Sequence, residues 1–246
     1  LNGESLNGST VVDPVQYSCQ RNYVIVATDG AWNTGDEDST IKFGPYDLSG
    51  NSVGQRDSQV DRPYQDASKG AASGGSSNSL ADVAMYYYAT DLRTTALGNC
   101  TGAMGADVCN NNVKPTGTDA AQWQHMTTFA MSLGQDGTLK YDPNYLTQTS
   151  GDYKNILQGT KVWPNPTTDA AKVDDLWHAA VNGRGVYFNA ADPTTVTQGL
   201  QAALATIKGD TAFGSAAATS SQRPVPGNDK AFVGSYTSAD WIGDLR

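Results

Sequence analysis

The most apolar stretch of the chain is Tyr23-Val24-Ile25-Val26-Ala27-Thr28, a continuous run halted at Asp29-Gly30, and it predicts a buried strand. Residues 33–78 show no sustained period and end in Gly74-Gly75-Ser76-Ser77-Asn78, which reads as an insertion loop. Ser79 then predicts a helix start. Asp82 follows in the manner of a capping box with the shorter acid, and Leu80, Val83, Ala84 and Tyr87 keep helical spacing to about Arg93. A second insertion covers residues 94–118. Asp119 reads as the cap of a short helix through Trp123, and Met126–Leu133 as a second strand ended by Gly134-Gln135-Asp136-Gly137. Residues 135–170, with Pro143, Pro164 and Pro166, read as a third irregular stretch.

Asp174-Asp175-Leu176-Trp177-His178-Ala179-Ala180-Val181 predicts a helix with acids at its positive end and Gly183 just past its close. Val186-Tyr187-Phe188 is a short strand. Asp192 caps a further helix with Pro193 at its first position, and Val196, Leu200, Ala203, Leu204 and Ile207 form one apolar stripe. Strand and helix alternate three times. That order predicts an α/β fold with a mainly parallel sheet and helices on its faces. Ligands of open sheets sit beyond the carboxyl ends of the strands, where Asp29 stands. From about Ser215 the character changes: Ala216-Ala217-Ala218-Thr219-Ser220-Ser221 reads as a linker and Lys230-Ala231-Phe232-Val233-Gly234-Ser235-Tyr236 as a strand without a partner. The expected division is 1–22 as an inserted loop or linker, 23–211 as the α/β domain, and 212–246 as a linker and first strand of an all-β domain.

Charge narrows the partners. The 246 residues carry 16 Lys+Arg against 25 Asp+Glu, a net charge of -9, so a nucleic-acid partner is excluded for want of a basic face. No run approaches the roughly 20 apolar residues that a spanning helix needs, so no membrane insertion is expected. Residues 1–22 hold no basic stretch leading into an apolar one, which reads as a mature or excised piece without a signal peptide. Of the acids 23 are Asp, and with 26 Gly and 10 Pro they predict a loop-rich chain, because Asp favours caps and turns.

Cys100 and Cys109 bracket a short flexible loop whose closure as a disulfide contributes about 3 kcal/mol. A metal pair is the rival reading, with no His or second Cys pair nearby to complete it. Cys19 is left over, either a free thiol or the partner of a cysteine outside the chain; the latter is favoured, in an oxidising compartment. Asp29 reads either as an ordinary turn residue or as one ligand of a hard divalent cation, which needs about six oxygens in all. Asp36-Glu37-Asp38 lacks the spacing of a calcium loop and reads as solvated. His125 and His178 are the only histidines, and His178, beside Trp177, reads as packed or capping. Asn182-Gly183-Arg184 reads as a helix-ending turn rather than a cell-binding tripeptide. No nucleophile elbow, phosphate loop or zinc-protease motif occurs, and nothing in the motifs supports an enzyme.

Tyr23-Val24-Ile25-Val26-Ala27-Thr28-Asp29-Gly30-Ala31-Trp32-Asn33 resembles the strand and Asp loop of von Willebrand factor A-like domains. Further stretches resemble the PilY/PilC family of type IV pilus tip-associated adhesins. They are Tyr17-Ser18-Cys19-Gln20-Arg21-Asn22, Ser79-Leu80-Ala81-Asp82-Val83-Ala84-Met85-Tyr86-Tyr87-Tyr88, Trp123-Gln124-His125-Met126 and residues 174–185, with Phe232-Val233-Gly234-Ser235-Tyr236 and Trp241-Ile242-Gly243-Asp244-Leu245. The resemblance implies the C-terminal part of a three-layer, Rossmann-like A domain with long insertions, followed by the start of a β-propeller. It also implies an extracellular place at the pilus tip, reached through the periplasm, with roles in pilus biogenesis, surface and host-cell adhesion, twitching motility and surface sensing. The implied partners are minor pilins and a host-cell or abiotic surface ligand. In A-like domains an Asp-x-Ser-x-Ser loop, a Thr and a later Asp bind Mg²⁺ or another divalent ion; only the later Asp maps here, onto Asp29. Two readings follow. One is an adhesive module in which Asp29 helps present Mg²⁺ or Ca²⁺ to a ligand. The other is a structural, force-bearing module that docks on minor pilins without metal and extends under load.

Overall fold

A computed structural model describes residues 5–6, 9–10, 12–28, 32, 44–58, 60–67, 75–190, 192–209, 213–219, 231–237 and 242–245. Two short strands, β1 (Ser5–Leu6) and β2 (Ser9–Thr10), pair antiparallel. The expected run of apolar residues becomes β3 (Asn22–Thr28), which lies parallel to β4 (Met126–Leu133), itself parallel to β5 (Arg184–Ala190). Helix α1 (Leu80–Ala89) connects β3 to β4 in the chain, α2 (Asp152–Gln158) and α3 (Asp169–Asn182) connect β4 to β5, and α4 (Pro193–Gly209) follows. The chain divides into two compact units, Leu1–Leu200 and Gln201–Arg246.

Local chemistry sets the helix ends. Ser79 Oγ accepts from the Asp82 amide at 3.1 Å and Asp82 Oδ2 accepts from the Ser79 amide at 3.0 Å, the reciprocal capping box read from the sequence. The helix stops at Ala89, short of the expected Arg93, because the chain turns extended at Thr90. Helix α3 begins five residues earlier than expected, at Asp169 with Thr168 as its cap, so Asp174 and Asp175 sit in its interior rather than at its positive end. Helix α2 falls inside the stretch read as irregular. It has only 7 residues and a glycine N-cap without a side-chain hydrogen bond, which is why capping signals do not reveal it. Asp119 caps no helix; it is buried, with its carboxylate on Arg21 at 3.3 Å and His125 at 3.1 Å.

Helices α1 and α3 pack on each other and on β4, and α3 also covers β5. On the opposite face Gly199 of α4 lies against Phe188 and Met131, where a Cβ would come within 3.3–3.4 Å of their side chains. The parallel sheet therefore has helices on both faces, as an α/β alternation requires. Gly183 and Gly185 make the α3–β5 turn possible, since a Cβ on either would collide with Thr128 of β4. The core centres on Trp177, whose ring centroid lies 5.0–5.9 Å from those of Tyr141, Tyr145, Tyr153, Trp163 and Tyr187. Four of those five come from the stretch between β4 and α3. Irregular backbone here carries core side chains.

The second unit holds an antiparallel sheet in the order β6 (Phe213–Thr219), β7 (Ala231–Thr237), β8 (Ile242–Leu245). Two expectations are corrected. Residues 216–219 are strand rather than linker, since pairing with β7 overrides the weak strand preference of three successive alanines. The expected lone strand has a partner on each side. A three-stranded sheet is what these residues form, and no propeller is present among them.

Candidate functional site

Strand β3 ends at Thr28, paired with Ser132. Asp29 and Asp36-Glu37-Asp38 lie outside the described residues. Around that end of the sheet Ser132 Oγ and the Tyr187 hydroxyl share a 2.7 Å hydrogen bond, and burial holds the Tyr187 hydroxyl well above the usual phenol range. Asn189 Nδ2 donates to Asp136 Oδ1 at 2.7 Å, and Asp192 Oδ1 accepts from the amides of Thr194 and Thr195, capping α4 as expected. These groups satisfy one another. The described rim thus supplies no converging set of oxygens for a divalent ion, and a cation there would rest on Asp29.

Cys100 and Cys109 are joined, and Asp107 Oδ1 accepts from the Cys109 amide at 2.9 Å inside their loop. These three residues are the only group of three His, Cys, Asp or Glu ligand atoms within metal-binding reach among the described residues, and the disulfide uses both sulfurs. The rival metal-pair reading is thereby corrected. Cys19 is an exposed free thiol; the neighbouring Ser18 Oγ accepts from Asn112 Nδ2 at 2.9 Å, close to the disulfide loop in sequence.

The densest polar site lies elsewhere, where the excursion between β3 and α1 returns to the helices. Asp57, Asp66, Asp82 and Asp175 are all buried there, with Asn182 and His178 from the same face of α3. Asp175 accepts from the amides of Leu80 (2.8 Å) and Ala81 (3.3 Å), two unpaired donors at the start of α1. Burial pushes its carboxyl up to about 7 against the pull of those amides. Asp82 accepts from the Arg56 amide at 2.6 Å besides its capping bonds. Asp66 accepts from Gln55 Nε2 at 2.9 Å and from the Ser76 amide. Asp57 Oδ2 accepts from Asn182 Nδ2 at 2.8 Å and lies 3.5 Å from His178 Nε2. Burial, then the nearby Asp66 and Asp82, push the Asp57 carboxyl up to about 9.

His178 is packed, as its position beside Trp177 predicts. Its ring stacks on Trp163 at 4.6 Å, its Nε2 is 2.6 Å from the Tyr64 carbonyl, and burial lowers its pKa to about 4. It is therefore neutral at pH 7 and donates to that carbonyl. Arg184, of the tripeptide weighed above, is clamped between the rings of Tyr64 (3.6 Å) and Tyr88 (4.0 Å), with Nη1 donating to the Asn182 carbonyl at 2.6 Å. Gly183 does end α3, as expected.

A cleft of about 310 Å³ opens between α1, α3 and the sheet, lined by Val24, Val26, Val83, Tyr87, Met126 and Leu176 among others. Within this frame the whole chain can be set beside known proteins. It is 33% identical over 261 aligned positions to the type IV pilus biogenesis factor PilY1 of Pseudomonas aeruginosa strain UCBPP-PA14, which covers 96% of this chain and 20% of that protein. To PilY1 of strain PAK it is 35% identical over 246 positions, 94% of this chain and 20% of that protein.

The chain is PilY1-like. It spans about one fifth of the length of these curated relatives. No family model matches it, and no solved structure does. The PilY1-like sequence marks Ser79, Asp82 and residues 174–185 through motif and periodicity, and of these the structure brings Ser79, Asp82, Asp175, His178 and Asn182 to the buried acidic site. What the sequence hides is the contribution of Asp57 and Asp66, since an aperiodic, Gly- and Ser-rich excursion carries no sign of burial. No helix among the described residues is long and apolar enough to cross a membrane.

Proposed function

We propose that this chain serves type IV pilus biogenesis as an extracellular α/β module at the pilus tip, docked on minor pilins and presented to host-cell or abiotic surfaces. The supporting observation is the 33–35% identity to PilY1 along 94–96% of the chain. In this reading the role is non-catalytic: the domain transmits load and positions a surface contact, and adhesion, twitching and surface sensing follow from that placement. The aromatic core around Trp177 and the disulfide favour the structural side of the reading, because the first ties the stretch between β4 and α3 to the sheet and the second closes the loop between Cys100 and Cys109. The adhesive side rests on Asp29 with Mg²⁺ or Ca²⁺.

The test is complementation of a strain lacking its own PilY1-like protein by the full-length protein carrying this region. Wild type restores surface pili and attachment. Deletion of residues 23–209 abolishes both. Asp29→Ala that keeps pili but loses divalent-dependent attachment supports the adhesive role; Asp29→Ala that keeps both leaves a structural module. Normal piliation without residues 23–209 would sink the proposal.

A further inference from the structure

Arg184 stands between the two glycines that the α3–β5 turn requires, and its own backbone is left-handed, with a φ of 61°. A glycine takes that conformation freely, whereas a residue with a Cβ does not. The turn nevertheless carries a long side chain there, and a held outlier of that kind points to a use for the side chain.

The surroundings define the use. The guanidinium carbon lies 3.6 Å from the centre of the Tyr64 ring and 4.0 Å from that of the Tyr88 ring, so both flat faces are covered. Only the edge of the plane is left open, and that edge carries the N–H groups. Nη1 donates to the Asn182 carbonyl at 2.6 Å. Nε and Nη2 donate to no described residue, and neither is a buried atom left without a partner, so both face solvent. Arg21 and Arg93 pair with Asp119 and Asp13, whereas Arg184 pairs with no carboxylate among the described residues.

Nε and Nη2 point from one edge as two parallel donors, which matches the two oxygens of a carboxylate. The rings of Tyr64 and Tyr88 extend that plane into a flat slot, which suits a planar group better than a tetrahedral one. They also fix the fork in advance, so little freedom is lost when a ligand arrives. The chain carries a net charge of -9, so a tract of acids would be repelled, and a single carboxylate among neutral neighbours fits. We propose that Arg184 anchors a partner protein through one Asp or Glu carboxylate, received edge-on by Nε and Nη2 between Tyr64 and Tyr88. Arg and Tyr are also the side chains that dominate the energetics of protein interfaces. The inference goes beyond the pilus reading and holds whichever protein supplies the carboxylate.

The experiment follows the Arg Nε–Hε signals of the isotope-labelled, 246-residue chain by NMR while the peptide acetyl-Gly-Asp-Gly-amide is added. Its Asn counterpart and inorganic phosphate are run at matched ionic strength. Expected is a saturable shift of the Arg184 signal with the Asp peptide, larger than any at Arg56 or Arg62, and little with the Asn peptide. Arg184→Lys keeps the charge but lacks the planar fork, and it weakens binding about tenfold, read from the ring protons of Tyr64 and Tyr88. Tyr64→Leu bares one face of the guanidinium and lessens the preference for the Asp peptide over phosphate. An Arg184 signal that stays still, or that moves alike with the Asp and Asn peptides, would overturn the proposal. A stronger response to phosphate than to the Asp peptide would also overturn it and leave a general anion contact. The wild-type titration decides these outcomes by itself, so a variant that fails to fold does not blunt the test.

Discussion

Asp175, in the middle of α3, accepts a 2.8 Å hydrogen bond from the amide of Leu80, the first residue of α1. One carboxylate thus completes a helix start that Ser79 and Asp82 only partly satisfy, and it locks the crossing of two helices that share a face of the sheet. Asp175→Ala is expected to lower stability by about 2–4 kcal/mol, since two helix-start amides lose their acceptor inside the protein. Asp175→Asn keeps one acceptor and loses less. Urea unfolding with an unchanged m value checks both.

The same cluster makes stability depend on pH. Asp57 and Asp175 have folded pKa values raised by burial, to about 9 and about 7, so the folded state holds protons that the unfolded chain releases near pH 4. Their stabilisation is full below that pH and is lost as pH climbs through the folded values. His178 works the other way: held neutral down to about 4, it withdraws stability as pH falls from about 6.5. In EDTA between pH 7 and 9 the folded chain is still releasing the Asp57 proton while His178 is already neutral. Stability there falls by up to about 1.4 kcal/mol per pH unit. Asp57→Asn flattens that limb; an unchanged slope in the variant would refute the assignment.

Trp177 is the hub of the aromatic core, touching rings from α2, β5 and the loops on either side of α2. Trp177→Ala is expected to cost about 3–5 kcal/mol and to collapse the near-ultraviolet circular dichroism of the folded chain. Trp177→Phe, which keeps ring contacts, falls well short of that loss.

For the cysteines the outcome is a count. The native chain shows one thiol reactive to a maleimide, at exposed Cys19, and reduction exposes three. Cys100→Ser with Cys109→Ser lowers stability by about 3 kcal/mol at most, because the ring it opens is short. Two or more reactive thiols without reductant would contradict the pairing.

Sequence alone carried the framework where local signals and global packing agree. Ser79 with Asp82, Met126–Leu133, Gly183 and Asp192-Pro193 all stand where capping and periodicity put them. It failed where burial is created by partners distant in the chain. Asp119 looked like a helix cap, yet Arg21 and His125 make it a buried ion-paired acid held below the usual carboxylate range. Tyr141, Tyr145, Tyr153 and Trp163 sit in a stretch with no period, because each reaches Trp177 from a different turn rather than from one helix face. Asp57 and Asp66 lie unmarked in the aperiodic stretch 33–78 for the same reason: nothing in their neighbours' types says that α3 packs against them. The helix read from the apolar stripe after Asp192-Pro193 is present as α4, with Ala203 of that stripe buried and Leu200 and Leu204 exposed.

The long departure from the sheet between β3 and α1 is usually the kind of segment one would trim to obtain a smaller, tidier domain. Here trimming would remove one of the two acceptors of Asn182 Nδ2, the carbonyl that receives His178 and one of the two rings around Arg184. Helix α3 would be left with His178 buried and unpaired and with Asn182 holding a single acceptor. Shortening this chain therefore has to start elsewhere, and any graft of its α/β frame onto another protein must carry the departure with it.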